Sequence, residues 1–274
     1  LTDTHLYPND PGLFGPDSVS WKVMGDVSSF AGGVRALLLQ ALHPEVAAGV
    51  ADHSAYKSDP LGRLNRTSLF VTTANYGSMP EVRSAVQMVR KAHQPVTGVS
   101  ERGVSYSANQ PPLAAWVQNT LTDSFLEAHQ TFCRPLEQSE ADQFVQEQSK
   151  IGALLGVVEL PQTAADLRSW IVDHPALAES QALQQAWDFL RNPPLNTGQL
   201  LGYKILRSAA AATLPQSLNH LTNTTQSRAA IFAGRRLIGS LRWAMKYSPA
   251  WKAALDRCGA TYDHSKFRSF EDKP

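Results

Sequence analysis

The segment from Val27 to Leu42, VSSFAGGVRALLLQAL, constrains the fold more than any other stretch of the chain. Wound as a helix, it is apolar on nearly every side, and such a helix is stable only when other elements surround it. Gly32 and Gly33 let a neighbour approach closely. The chain must therefore pack further elements around a central helix, and the remaining periodicity says that these are helices too.

His43-Pro44-Glu45 marks a break and a restart, since proline suits the first turn of a helix and glutamate complements its dipole. This second helix is expected to reach about Tyr56. Asp59-Pro60 caps another, on which Arg63, Arg66, Thr67 and Phe70 share one face. Ser78-Met79-Pro80-Glu81 reads as a capping box, followed by a single stripe of Val82, Ala85, Val86, Val89 and His93. Pro112 to Phe132 is a long amphipathic helix, with more expected over 139–155, 163–173, 181–190, 197–212 and 226–247, and a short one after Ser248-Pro249. No stretch alternates at period two, so the expected class is all-α, with a polar tail from Thr261.

A chain of 274 residues with 43% apolar side chains can hold a large core, and no Gly/Ser-rich linker divides it. One domain over 1–274 is expected. The 25 basic and 24 acidic residues give no general reason to bind nucleic acid. Cys133 and Cys258 are widely separated, which fits free thiols in a reducing compartment and makes the cytoplasm the default. A leader removed upstream of Leu1 stays open. Ala36 to Leu42 is too short to span a bilayer.

The chain has no G-x-G-x-x-G dinucleotide turn, G-x-S-x-G elbow, H-E-x-x-H zinc pair or Glu-x-x-His pair. The remaining candidates are histidines and arginines at core-facing helical positions. On its apolar stripe, His93 is either a core histidine with partnered nitrogens or a metal ligand. A neutral imidazole among valines and alanines is what the proximal position of a haem iron requires. Arg90, one turn earlier, is either a surface arginine or a partner of a haem propionate. Arg63, Arg66 and Thr67 either reach solvent or meet an anion, because buried unpaired cations are costly. His43, at the helix junction, can equally satisfy the broken backbone there.

Three segments carry a resemblance: GGVRALLLQALHP (32–44), DPLGRLNRT (59–67) and VRKAHQPVTG (89–98). In order and spacing they resemble the MpaB/latex-clearing-protein family, which includes bacterial rubber oxygenases and a fungal endoplasmic-reticulum oxygenase that cleaves a prenyl side chain. The resemblance spans about 12–245, and its specific part lies in 30–120. It implies an all-α, globin-like bundle around haem b, with the axial ligand in an R-x-x-H element, here Arg90 and His93. It also implies that Arg63 and Thr67 help to hold the haem. Arg66 stands where rubber oxygenases carry a distal lysine that ligates iron in their closed form. A guanidinium stays protonated, so that role does not carry over. The implied activity is a haem-dependent oxygenase acting with dioxygen on an apolar, alkene-bearing small molecule, with Arg63 and Arg66 in the reactive pocket.

Two other classes compete with this one. A haem carrier or sensor would share the ligand without turnover. A cofactor-free helical interaction module would use the stripe of Arg228, Arg235, Arg242 and Lys246 beside Phe232, Leu241 and Trp243. The default for that stripe is a solvated face; its alternative is peripheral contact with a membrane or an anionic partner.

Overall fold

Caps set most of the helix starts. In the computed structural model, which describes residues 7–54, 59–245 and 248–261, the order is α1 (Val19–Met24), α2 (Ser29–Gln40), α3 (Pro44–His53), α4 (Pro60–Tyr76) and α5 (Met79–His93). A hairpin of β1 (Thr97–Val99) and β2 (Ser105–Ser107) follows. The chain continues through α6 (Pro111–Phe132), α7 (Gln138–Leu154), α8 (Ala164–Val172), α9 (Gln181–Arg191), α10 (Thr197–Ala212), α11 (Asn219–Thr222), α12 (Arg228–Met245) and α13 (Pro249–Arg257). The fold is all-α apart from the hairpin. Six strand residues are too few to show a period, which is why the sequence hides them. The strands pair antiparallel with Gly98 opposite Tyr106, whose hydroxyl donates to Asp52 of α3 at 2.6 Å.

The expected central helix over 27–42 is α2, and the short α1 before it is a helix that the spacing does not announce. Val19–Met24 forms a helix of its own, and α2 begins only at Ser29. The short α1 is held from outside, because the Glu147 carboxylate of α7 accepts the backbone N–H of Ser20 at 2.7 Å and of Val19 at 3.3 Å. The end of the second expected helix, near Tyr56, lies outside the described residues, as do Lys246, Tyr247 and the tail beyond Thr261.

The centre is the crossing of α2 and α6. A Cβ on Gly32 would stand 3.1 Å from the Phe125 Cα, so glycine permits this approach. Trp21, Leu38, Leu39, Leu42, Trp116 and Phe144 form the larger core, while Val27, Ala31, Phe132, Ala209 and Ile238 form a smaller one among α2, α6, α10 and α12. Within the core, Arg35 is fully buried. It donates to Asp123 at 2.6 Å and to Ser124 at 2.9 Å. Arg168 of α8 reaches the other oxygen of Asp123 at 3.1 Å, joining three helices through one carboxylate.

Gly234 is where α12 meets α10, and an added Cβ there would overlap the Ala209 Cβ. Gly234→Ala is expected to cost about 1–3 kcal/mol by overpacking. Gly239 has open space at its Cβ, and Gly239→Ala is expected to gain up to about 1 kcal/mol from helix propensity. Urea denaturation of both variants checks the contrast, which equal effects would contradict.

Candidate functional site

Asp59 caps α4 by accepting the Gly62 N–H at 2.9 Å, and Glu81 accepts from both the N–H and the hydroxyl of Ser78 to start α5. The two helices pack on each other and are joined through Gly77 and Ser78 alone. At a rise of 1.5 Å per residue, Arg63 and His93 lie at nearly equal distances, about 22 Å, from that joint. Each therefore lies near the end of its own helix that is farther from the joint.

Burial divides the pair in the same way. Near the joint, Ala74, Asn75, Tyr76, Val82, Ala85 and Val86 are buried. Farther from the joint, Leu64, Leu69 and Met88 are more than half exposed, and Arg66, Thr67, Arg90 and His93 are exposed as well. Arg63 is half-buried. The expectation that His93 faces the core is corrected here: the apolar stripe is covered over its first turns and uncovered over its last. Neighbouring atoms still desolvate the ring enough to lower its pKa below the ordinary value, so His93 is a neutral imidazole open to a ligand. Arg66 makes a 3.4 Å contact with Asp59, both partners well exposed. The Arg90 carbonyl accepts from Asn109 at 3.0 Å, tying the end of α5 to the loop after β2.

A second constellation surrounds the start of α3. His43 is buried against Trp116 and His174, with ring centroids 5.9 and 5.4 Å away, at the edge of an open cavity of about 620 Å³. Its Nδ1 lies 3.3 Å from Glu45 but out of line for a hydrogen bond. Glu45 accepts from Arg102 Nη2 at 2.6 Å and from Ser100 at 2.8 Å. Burial pushes its carboxyl up, yet Arg102 and Ser100 together hold it below the ordinary value. A carboxylate so fully engaged is a weak proton acceptor. Glu45 and His43 are two positions apart in sequence, but Arg102 and His174 reach them only through the fold.

A third grouping is Asp26, His129 and Cys133, whose potential ligand atoms lie within 4.8 Å of one another, all buried. Neither His129 nitrogen has a partner. Asp26, however, is chelated by Arg242 at 2.6 and 2.9 Å and accepts the Ser28 N–H at 2.8 Å, leaving little of the carboxylate for a metal. Arg242 is thus not part of a solvated stripe with Arg228 and Arg235. The sequence expectation fails there because Asp26 is distant along the chain.

Burial pushes His43 and His129 down to about 4, against the attraction of Glu45 and Asp26 respectively. Unfolding returns each to an ordinary value near 6.5. Between these values the unfolded chain binds more protons than the folded one, so stability falls as pH drops. The loss is expected to reach about 1.4 kcal/mol per pH unit for each histidine. Urea midpoints from about pH 7 to about pH 5 check this, and the slope should flatten in His43→Gln and His129→Gln. An unchanged slope in both variants would contradict the assignment.

Among the described residues no helix is long and apolar enough to cross a membrane. No curated protein and no solved structure matches the chain. The family model described as ER-bound oxygenase mpaB/B′/rubber oxygenase, catalytic domain, matches residues 21–243, most of the chain and all three groupings. The chain therefore belongs to the mpaB/rubber oxygenase family, through its catalytic domain.

Proposed function

We propose that the chain is a haem b-dependent oxygenase, with His93 as the iron ligand, acting with dioxygen on an apolar small molecule. The observation that carries this reading is the uncovered last turn of α5, where His93 stands exposed on an otherwise apolar stripe. Leu64 and Leu69 of α4 and Met88 of α5 are exposed as well, and the same two helices carry Arg63, Arg66, Thr67 and Arg90. A porphyrin fits that chemistry, with apolar faces, one nitrogen donor needed and two carboxylates to bind.

When bound, the haem supplies the oxygen chemistry, and the protein supplies its ligand, access and polarity. His93 offers a nitrogen lone pair because it is unprotonated. Arg63, Thr67 and Arg90 would hold the propionates through charge-assisted hydrogen bonds. Arg66, as a guanidinium, would serve as a hydrogen-bond donor in the reactive pocket and not as an iron ligand. The apolar side chains exclude water and select an apolar substrate.

Reconstitution with hemin, followed by absorption spectroscopy, tests the reading. A Soret band distinct from that of free hemin is expected; a free-hemin spectrum at saturating protein would refute haem binding.

A further inference from the structure

Between Phe189 and Leu255 the sequence contains nine lysines and arginines and no aspartate or glutamate. The whole chain has a net charge of only +1, so the rest is net acidic and the positive charge is concentrated in this region. Six of the nine lie on α10 and α12, which pack on each other through Gly234 and Ala209.

On α12 the buried face carries Gly234 and Ile238. Phe232 and Trp243 lie on the opposite face, 62% and 84% exposed. They are eleven residues apart, about three helical turns, and so fall on one line within about 20° and about 16 Å from each other. Arg228 and Arg235 flank this line on one side and Arg236 on the other, all exposed. Arg235 is steadied by donating to the Thr131 carbonyl at 2.8 Å, and Arg236 lies over the Phe232 ring with its guanidinium carbon 5.4 Å from the centroid. The neighbouring α10 adds exposed Leu201 and Lys204. Arg242 is excluded, being committed to Asp26.

From this arrangement we propose that α12 docks the protein on an anionic lipid surface, with Phe232 and Trp243 entering the interface and Arg228, Arg235 and Arg236 facing the headgroups. Charge complementarity selects an anionic partner. The outermost aromatic line favours lipid over a nucleic acid or an acidic protein: tryptophan and phenylalanine lower their free energy at the headgroup boundary, where arginine finds lipid phosphate. No carboxylate on α10 or α12 opposes that approach.

Flotation of the full chain with phosphatidylcholine vesicles, with and without about one third phosphatidylserine, tests this. Binding is expected only with the anionic lipid, and it should weaken steeply as salt is raised. Each arginine near such a surface strengthens binding about fivefold, so Arg235→Gln with Arg236→Gln should lower the partition coefficient roughly twentyfold. Trp243→Ala should lower it several-fold at constant charge. Arg83→Gln with Lys91→Gln removes two exposed cations from α5 instead and should leave binding unchanged. Trp243, Arg235 and Arg236 are exposed, and an unaltered helical circular dichroism spectrum confirms folding. Failure to bind anionic vesicles would overturn the proposal, as would equal loss in the α5 control. Retention on heparin without vesicle binding would also overturn it, in favour of a polyanionic macromolecule.

Discussion

Arg35→Ala should cost about 3–5 kcal/mol of folding stability, because it strands a buried carboxylate at the crossing of α2 and α6. Asp123 is buried, and burial alone would raise its pKa; Arg35 and Arg168 reverse this and hold it below the ordinary carboxylate range. Arg35 is fully enclosed, whereas Arg168 is more than a third exposed, so most of the low-dielectric compensation comes from Arg35. Arg168→Ala should therefore cost less. The double variant Arg35→Met, Asp123→Leu removes both charges together and should recover much of the loss, since a buried pair replaced by apolar groups of similar volume is often neutral or better. Urea denaturation of the three variants measures these differences. A loss below about 1 kcal/mol for Arg35→Ala, or no recovery in the double variant, would show that the pair is not what holds α2 to α6.

Much of this architecture can be read in the sequence, because helices announce themselves locally. Ser78 with Glu81 and Asp59 with Pro60 set the starts of α5 and α4 as the residues suggest. What the sequence hides is non-local or short. Six residues of hairpin show no period, and the hairpin is secured by Tyr106 reaching back to Asp52. Asp26 and Arg242 are 216 positions apart, so nothing in the spacing of α12 removes Arg242 from its apparent stripe. His93 is the instructive case. Helical spacing places it correctly in line with Val82 and Val86, but periodicity reports only a face and not how far a neighbour extends along it. The cover ends before the last turn of α5, and that gap is what makes His93 a candidate ligand in place of a packed core residue.

The second large effect concerns that residue. If His93 binds the iron, His93→Ala should weaken haem binding by roughly a hundredfold or more, beyond the 10–100-fold typical of losing a group that merely orients a ligand. Folding should be unaffected, because the side chain is exposed. His129 is the matched control: it is buried, neutral and without a hydrogen-bond partner, yet it sits beside Arg242-bound Asp26, away from the α4–α5 pair. Added imidazole should restore a ligand to the space left in His93→Gly and bring back the wild-type spectrum, which a purely structural role for His93 would not allow.

The decisive measurement is the absorption spectrum of haem-reconstituted wild type beside His93→Ala and His129→Ala, in ferric, reduced and carbon monoxide forms. A Soret band in wild type and His129→Ala that is lost or shifted in His93→Ala, with a carbon monoxide response in the reduced wild type, is the predicted result. An unchanged band in His93→Ala would contradict the assignment of the iron ligand, and no protein-dependent band in any of the three would contradict haem binding itself.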